Sequence, residues 1–181
     1  MSAARGPLPV AGEKGRACTV IKLTDKLAPR RHSAVYKYAN EPYRQMTPTS
    51  SPKLELVKSI ANAWQRGDYS CVEWADAEIE FVIADGPEPG RWTGRAGLAP
   101  SLMDFRDAWA EYRSEAEEYR ELDDGVLVLT YASGRGRTSG VEIAGQRANL
   151  FRVRDGKVKS LVVYWDRERA LADVGLSPQA V

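Results

Sequence analysis

The run "SLVVYWD" ends in Tyr164, Trp165 and Asp166, and "RERALAD" follows at once. A carboxylate next to aromatic, apolar surface loses hydration, which raises its pKa toward the range of a general base. Asp166 is therefore a candidate proton acceptor. It reads first, however, as the N-cap of the helix that "RERALAD" would form, because an Asp side chain accepts hydrogen bonds from a helix's first N–H groups. Tyr164 and Asn149 complete this catalytic constellation as donors to a substrate carbonyl, where they would stabilise an enolate. Otherwise each would pair with a neighbouring backbone or side-chain group. The single histidine, His32, stands among Pro, Gly and Arg residues. A His-based triad or His-rich metal site is thereby set aside, and acid–base work falls to Asp, Glu, Tyr, Lys or Cys.

Other residues offer weaker chemistry. Asp85 opens "DGPEPG" and reads first as turn chemistry. Arg147 could anchor an anionic substrate or pair with the surface acids Glu115, Glu117 and Glu118. "SGRGRTSG" is rich in glycine but lies between strand-like runs and opens no helix, so it lacks the context of a phosphate loop. Cys18 and Cys71 have no metal-ligand spacing. The expectation is no metal and no cofactor. Trp64, Phe81, Trp109 and Phe151 are expected as core that also walls a substrate pocket. Trp92, in "GRWTG", would be a lid over the pocket or a plug in its mouth.

The chain has 181 residues, 43% hydrophobic and 28% charged, which suits one soluble domain with a real core. Residues 1–50 hold nine Lys/Arg against three Asp/Glu, and the remainder holds 17 against 22. The acidic body argues against nucleic acid as a partner. Two isolated cysteines suggest a reducing compartment, so a cytoplasmic location is expected. No apolar run approaches the ~20 residues of a membrane helix, so no membrane partner is expected.

The elements that must position these residues follow from periodicity. Residues 1–50 show none and read as a disordered basic extension, or as upstream codons before a natural start at Met46. Ser51-Pro52 fits a helix start, and Leu54, Val57, Ile60, Ala61 and Trp64 follow helical spacing. "DYSCVEWADA" suggests a second, short helix. "EIEFVIAD" alternates as a strand with Ile79, Phe81 and Ile83 inward, and "GLAPSLMDFRDAWAEYR" reads as a third helix. Four strands follow in hairpins, marked by Asp123-Asp124-Gly125 and Asp155-Gly156. A short helix spans Arg167 to Ala172. Helices gathered before an antiparallel sheet make the fold class α+β. Strand alternation places Asn149, Phe151 and Arg147 on one face. Unless a bulge intervenes, it adds Ser160, Val162, Tyr164 and Asp166 to that face and puts Leu161, Val163 and Trp165 on the other.

"LVKSIANAWQRGDYS", "EIEFVIADGP", "GRWTGRAGL" and "ANLFRVRDGKVKSLVVYWDRERAL" together resemble the nuclear transport factor 2-like superfamily, in its SnoaL-like, ketosteroid isomerase-like branch. The resemblance covers 52–176 and implies a domain over 51–176 with a short tail at 177–181. It further implies a cone-shaped, curved antiparallel sheet closed by N-terminal helices, of the cystatin-like roll type, around an apolar pocket, usually in a homodimer. An apolar outer sheet face would form that dimer. The implied activity is cofactor-independent isomerisation, cyclisation or dehydration of a small hydrophobic molecule. The same fold also serves as a non-catalytic binding module or dimerising scaffold.

Overall fold

The computed structural model describes residues 50–177. The readings for 1–49, which include the basic extension, His32 and Cys18, lie outside these residues, as does most of the 177–181 tail.

Helix α1 runs Pro52–Gln65. Ser51 caps it, its side chain accepting from the Leu54 N–H at 3.2 Å, and Pro52 occupies the first helical turn, where no N–H partner is needed. Val57 and Ile60 turn its buried face toward the sheet. A loop follows, and strand β1 covers Ala75–Ile83. Then come β2 (Gly90–Thr93), α2 (Arg95–Ala108), β3 (Trp109–Leu122), β4 (Gly125–Gly136), β5 (Glu142–Arg154), β6 (Lys157–Tyr164) and α3 (Arg167–Asp173). The six strands form one sheet in the order β2-β1-β6-β5-β4-β3. The hairpin signals hold. Asp123-Asp124 joins β3 to β4, and Asp155-Gly156 joins β5 to β6 with φ of 54° and 69°, as a primed turn requires.

Four expectations are corrected. The sheet is mixed rather than wholly antiparallel, because β1 pairs β6 in parallel. No helix forms over "DYSCVEWADA". Asp68 accepts from the Ser70 N–H and hydroxyl, the Trp74 indole donates to the Cys71 carbonyl, and Ala75 enters the strand opposite Val158. The third helix stops at Ala108, since "WAEYR" is captured as β-strand by pairing with the far end of β4, from Trp109↔Gly136 to Arg113↔Ser133. Finally, "GRWT" is a short edge strand on β1, with Trp92 opposite Phe81.

A further departure, and the one with most consequences, is a bulge in β6. Arg152 pairs Ser160 while the next residue, Val153, pairs Val158, so Lys159 is an extra residue. Its side chain is taken up by Asp76, 2.6 Å away. One extra residue reverses the inward and outward order of everything after it. Val158 and Leu161 are therefore both fully buried in the core, three positions apart.

That core lies between one sheet face and α1–α2. It contains Ile79, Phe81, Leu98, Leu102, Val126, Val128, Phe151 and Leu161. Aromatic rings fill its centre: Trp64 meets Tyr69, Trp74 and Phe151 at centroid distances of 5.7, 6.0 and 5.8 Å. A second core under α3 holds Leu127, Leu129, Leu150, Tyr164 and Leu171 on the opposite sheet face.

Phe151 is 1% exposed, so Phe151→Ala should lower the unfolding free energy by about 3–5 kcal/mol in a urea titration followed by tryptophan fluorescence. Burial raises the phenol pKa of Tyr69, Tyr112 and Tyr119 above the ordinary value of 10.0. Above about pH 10 the unfolded chain gives up phenol protons that the folded chain retains, so stability falls as pH rises. Urea midpoints measured between about pH 8 and pH 11 should decrease steadily over the upper part of that range.

Candidate functional site

Along β5 the side chains of Arg147, Asn149 and Phe151 alternate onto the face that meets α1, opposite Thr130, Val128 and Val126 of β4. Ser114 and Ala116 of β3 continue that face through Ala132 and Thr130. Between this floor and Ala61 and Trp64 of α1 lies a cavity of about 10 Å³. Its polar lining comes from Ser114, Thr130 and Asn149. That volume suits about one water molecule.

Arg147 lies one cross-strand pair farther along, opposite Thr130. It is only 8% exposed, yet its Nε and one terminal nitrogen, Nη1, have no hydrogen-bond partner. The guanidinium carbon sits 3.6 Å above the Trp165 ring. Burial pulls its pKa down, and the neighbouring Tyr112 and Asp85 oppose that fall. Two of the acids expected as partners are engaged elsewhere: Glu117 pairs with Arg167, and Glu118 with Arg120 at 2.9 Å; the third, Glu115, is exposed opposite Tyr131. Glu117 and Glu118 lie beyond the reach of the inner face because a second bulge, at Glu117, keeps Glu118 opposite the outward Leu129.

Asp85 follows β1 and holds its place through the chain end of β6. Its Oδ1 accepts from the Trp165 N–H at 2.5 Å. Its Oδ2 is buried without a hydrogen bond, and Arg169 stands 3.7 Å away as a longer ion pair. Gly86 makes this arrangement possible. Its φ is +96°, and a Cβ there would fall 2.6 Å from the Trp165 ring. Trp165 thus touches both the Gly86 backbone and the Arg147 guanidinium.

The structure separates the residues that alternation had grouped. Asn149, Phe151 and Phe81 share the inner face, with Trp64 packed on Phe151. Trp109 packs with Phe105 and Tyr112 at 6.1 and 5.7 Å, and Trp92 stacks on Phe81 at 5.3 Å. Tyr164 does not join them. It pairs Ala148 on the other face, beneath α3, and its hydroxyl donates to Asp173 at 3.0 Å. Burial, with Asp173 beside it, pushes its pKa up to about 12. Asp166 is exposed and caps α3, accepting from Glu168 N–H at 2.9 Å and Arg169 N–H at 3.4 Å. Both displacements follow from the Lys159 bulge. It also turns Leu161, Val163 and Trp165 inward, so the residues expected to make an apolar dimer face are interior ones. Asp85 and Arg147 instead meet around Trp165. The signal was in the sequence, since both share parity with the inward residues of their strands.

Among the described residues no group of three His, Cys, Asp or Glu side chains gathers to hold a metal ion, and no helix is long and apolar enough to cross a membrane.

The order of elements, with a bent sheet wrapped on α1 and α2, is shared with solved structures. A ketosteroid isomerase-like protein from Catenulispora acidiphila, in complex with trimethylamine, superposes with a TM-score of 0.55 at 20% identity, over 67% of this chain and 93% of that one. TerC, co-crystallised with polyporic acid, gives 0.55 and 20% over 70% and 98%. A nuclear transport factor 2-like protein from Burkholderia xenovorans gives 0.52 and 27% over 67% and 94%. This is a ketosteroid isomerase-like, nuclear transport factor 2-like fold. No family model and no curated protein matches the sequence.

In this fold Asp166→Ala should cost about 1 kcal/mol of stability, as the loss of an N-cap does, measured by thermal unfolding. Gly86→Ala should be worse, at roughly 1–3 kcal/mol, because it combines a left-handed backbone with a collision against Trp165. Near-ultraviolet circular dichroism should lose part of its tryptophan signal in that variant alone.

Proposed function

We propose that this ketosteroid isomerase-like chain binds a small organic molecule between the inner sheet face and the helices, and moves a proton on it without a cofactor. Asp85 is the base in this reading. The observation that carries it is the buried, hydrogen-bond-free Oδ2 of Asp85. Its other oxygen is fixed by the Trp165 N–H, which sets the direction of the free one. A carboxylate with one oxygen anchored and the other free of hydrogen bonds, with only the longer ion pair to Arg169 beside it, is arranged to accept a proton from carbon or oxygen. Asn149, Ser114 and Thr130 supply neutral donors around the small cavity on the inner face, able to bond a carbonyl whose oxygen gains charge as the proton leaves. The fold's record of ligands supports a small-molecule occupant: one relative is in complex with trimethylamine and another with polyporic acid. Isomerisation, cyclisation and dehydration all fit a single shuttling carboxylate.

A second reading rests on a different observation. The cavity beside Asn149 measures about 10 Å³, and packed aromatic and aliphatic side chains occupy the rest of the interior. A domain filled in this way serves as a scaffold without chemistry.

Hydrogen exchange decides between them. The full chain is incubated in deuterated water with a panel of enolisable cyclic ketones and lactones, and label uptake is read by mass spectrometry. Wild-type protein should accelerate exchange for at least one compound. Asp85→Asn keeps the oxygen that receives the Trp165 N–H, and should slow the reaction by about 10²–10⁴-fold with thermal stability retained. Asp166→Asn should leave the rate unchanged. Wild-type exchange rates in Asp85→Asn remove Asp85 as the base, and no acceleration by the wild-type chain favours the scaffold.

A further inference from the structure

Arg147 holds a charge that nothing among the described residues neutralises. The groups that face it are few. Thr130 is its cross-strand partner and Trp165 lies under the guanidinium. Tyr112 comes from β3, and burial keeps its phenol protonated by raising its pKa. Asp85 is the nearest acid to act on it, and it forms no ion pair with Arg147 within 4.0 Å. Asp85 is instead met from the outside by Arg169, 3.7 Å away, which offsets its charge. Two buried donors of Arg147 remain unused.

A buried ion without its counter-charge is strongly unfavourable. A buried methionine of similar length would fill the same space without that penalty. The side chain is moreover held rather than free: the Trp165 ring fixes its plane at 3.6 Å, and Gly86 and Asp85 fix the ring. A rigid guanidinium with open N–H groups is suited to bind a carboxylate, by charge-assisted hydrogen bonds that a neutral oxygen cannot match.

We infer that the ligand of this site is an organic acid whose carboxylate binds Arg147. The assignment rests on the small-molecule reading above and narrows it to a substrate class. The acid's carboxylate supplies the missing counter-charge. Asn149 and Phe151, two and four residues on along β5, share the face of Arg147 and would meet the acid's carbon skeleton, the small cavity there widening to admit it. Arg147 then selects the ligand, and Asp85 acts on it.

The test uses matched pairs that differ in charge alone: formate with formamide, acetate with acetamide, and benzoate with benzamide. The full chain is examined by thermal shift and titration calorimetry at constant sodium chloride. At least one carboxylate should raise the melting temperature while its amide does not. Arg147→Met should keep or raise the ligand-free melting temperature and bind that carboxylate at least about tenfold more weakly. Equal binding of acid and amide overturns the inference and leaves a small-molecule site standing. Unchanged carboxylate affinity in Arg147→Met also overturns it. Failure of every carboxylate to bind the wild-type chain overturns the inference, while the small-molecule reading stands or falls separately on the exchange of ketones and lactones.

Discussion

The structure depends on how β6 is registered against β5. Seven residue pairs after the Asp155-Gly156 turn would be enough to fix a plain hairpin, but Lys159 is inserted and the order of faces reverses beyond it. Leu161, Val163 and Trp165 consequently look into the domain. Val162 and Tyr164 look out, where α3 covers Tyr164. The bulge holds because Lys159 has a fixed partner in Asp76 and because β1 is irregular at the same level, passing from Ala75↔Val158 to Glu80↔Ser160. Two strands deform together. With the opposite order, a tyrosine would stand in the aromatic core and an indole would face α3.

The two halves of the interior obey different rules. Around Trp64, Trp74 and Phe151 the packing is apolar and close, and stability explains every residue. Around Asp85, Arg147 and Trp165 it does not. There, polar atoms are buried without partners, a glycine takes a backbone angle denied to other residues, and a cation rests on an indole. Local consistency is the rule in folded sequences, and its breach marks places kept for another reason. The breach is confined to one end of β5 and the two chain segments that close over it.

Much of the fold was legible. Ser51-Pro52 announced α1, both hairpin turns were marked by Asp and Gly, and the glutamates of β1 exposed its buried side. Pairing decided the rest. "WAEYR" has helical spacing in isolation and becomes strand because β4 reaches that far. "GRWT" is too short to show periodicity and exists as a strand only beside β1. The site was half legible. Asn149, Phe151 and Phe81 were placed by alternation alone, and Arg147 shared their parity. The bulge carries no sequence mark stronger than a lysine between valine and serine, so it misplaced Tyr164 and Asp166. Asp85 was obscured by its neighbours, since Asp-Gly-Pro describes a turn whether or not the carboxylate also does something else.

The Asp85–Trp165 hydrogen bond joins positions 80 residues apart. The β3–β4 and β5–β6 pairs close through two-residue turns, whereas β1 finds β6 only across most of the domain. Loop-closure entropy makes such distant pairing slow and leaves it dependent on everything already in place. The polar cluster therefore has no existence in a partly paired chain. Its geometry is a property of the completed topology, so any lesion that loosens the β1–β6 seam disperses Asp85 and Arg147 before the hairpins themselves come apart.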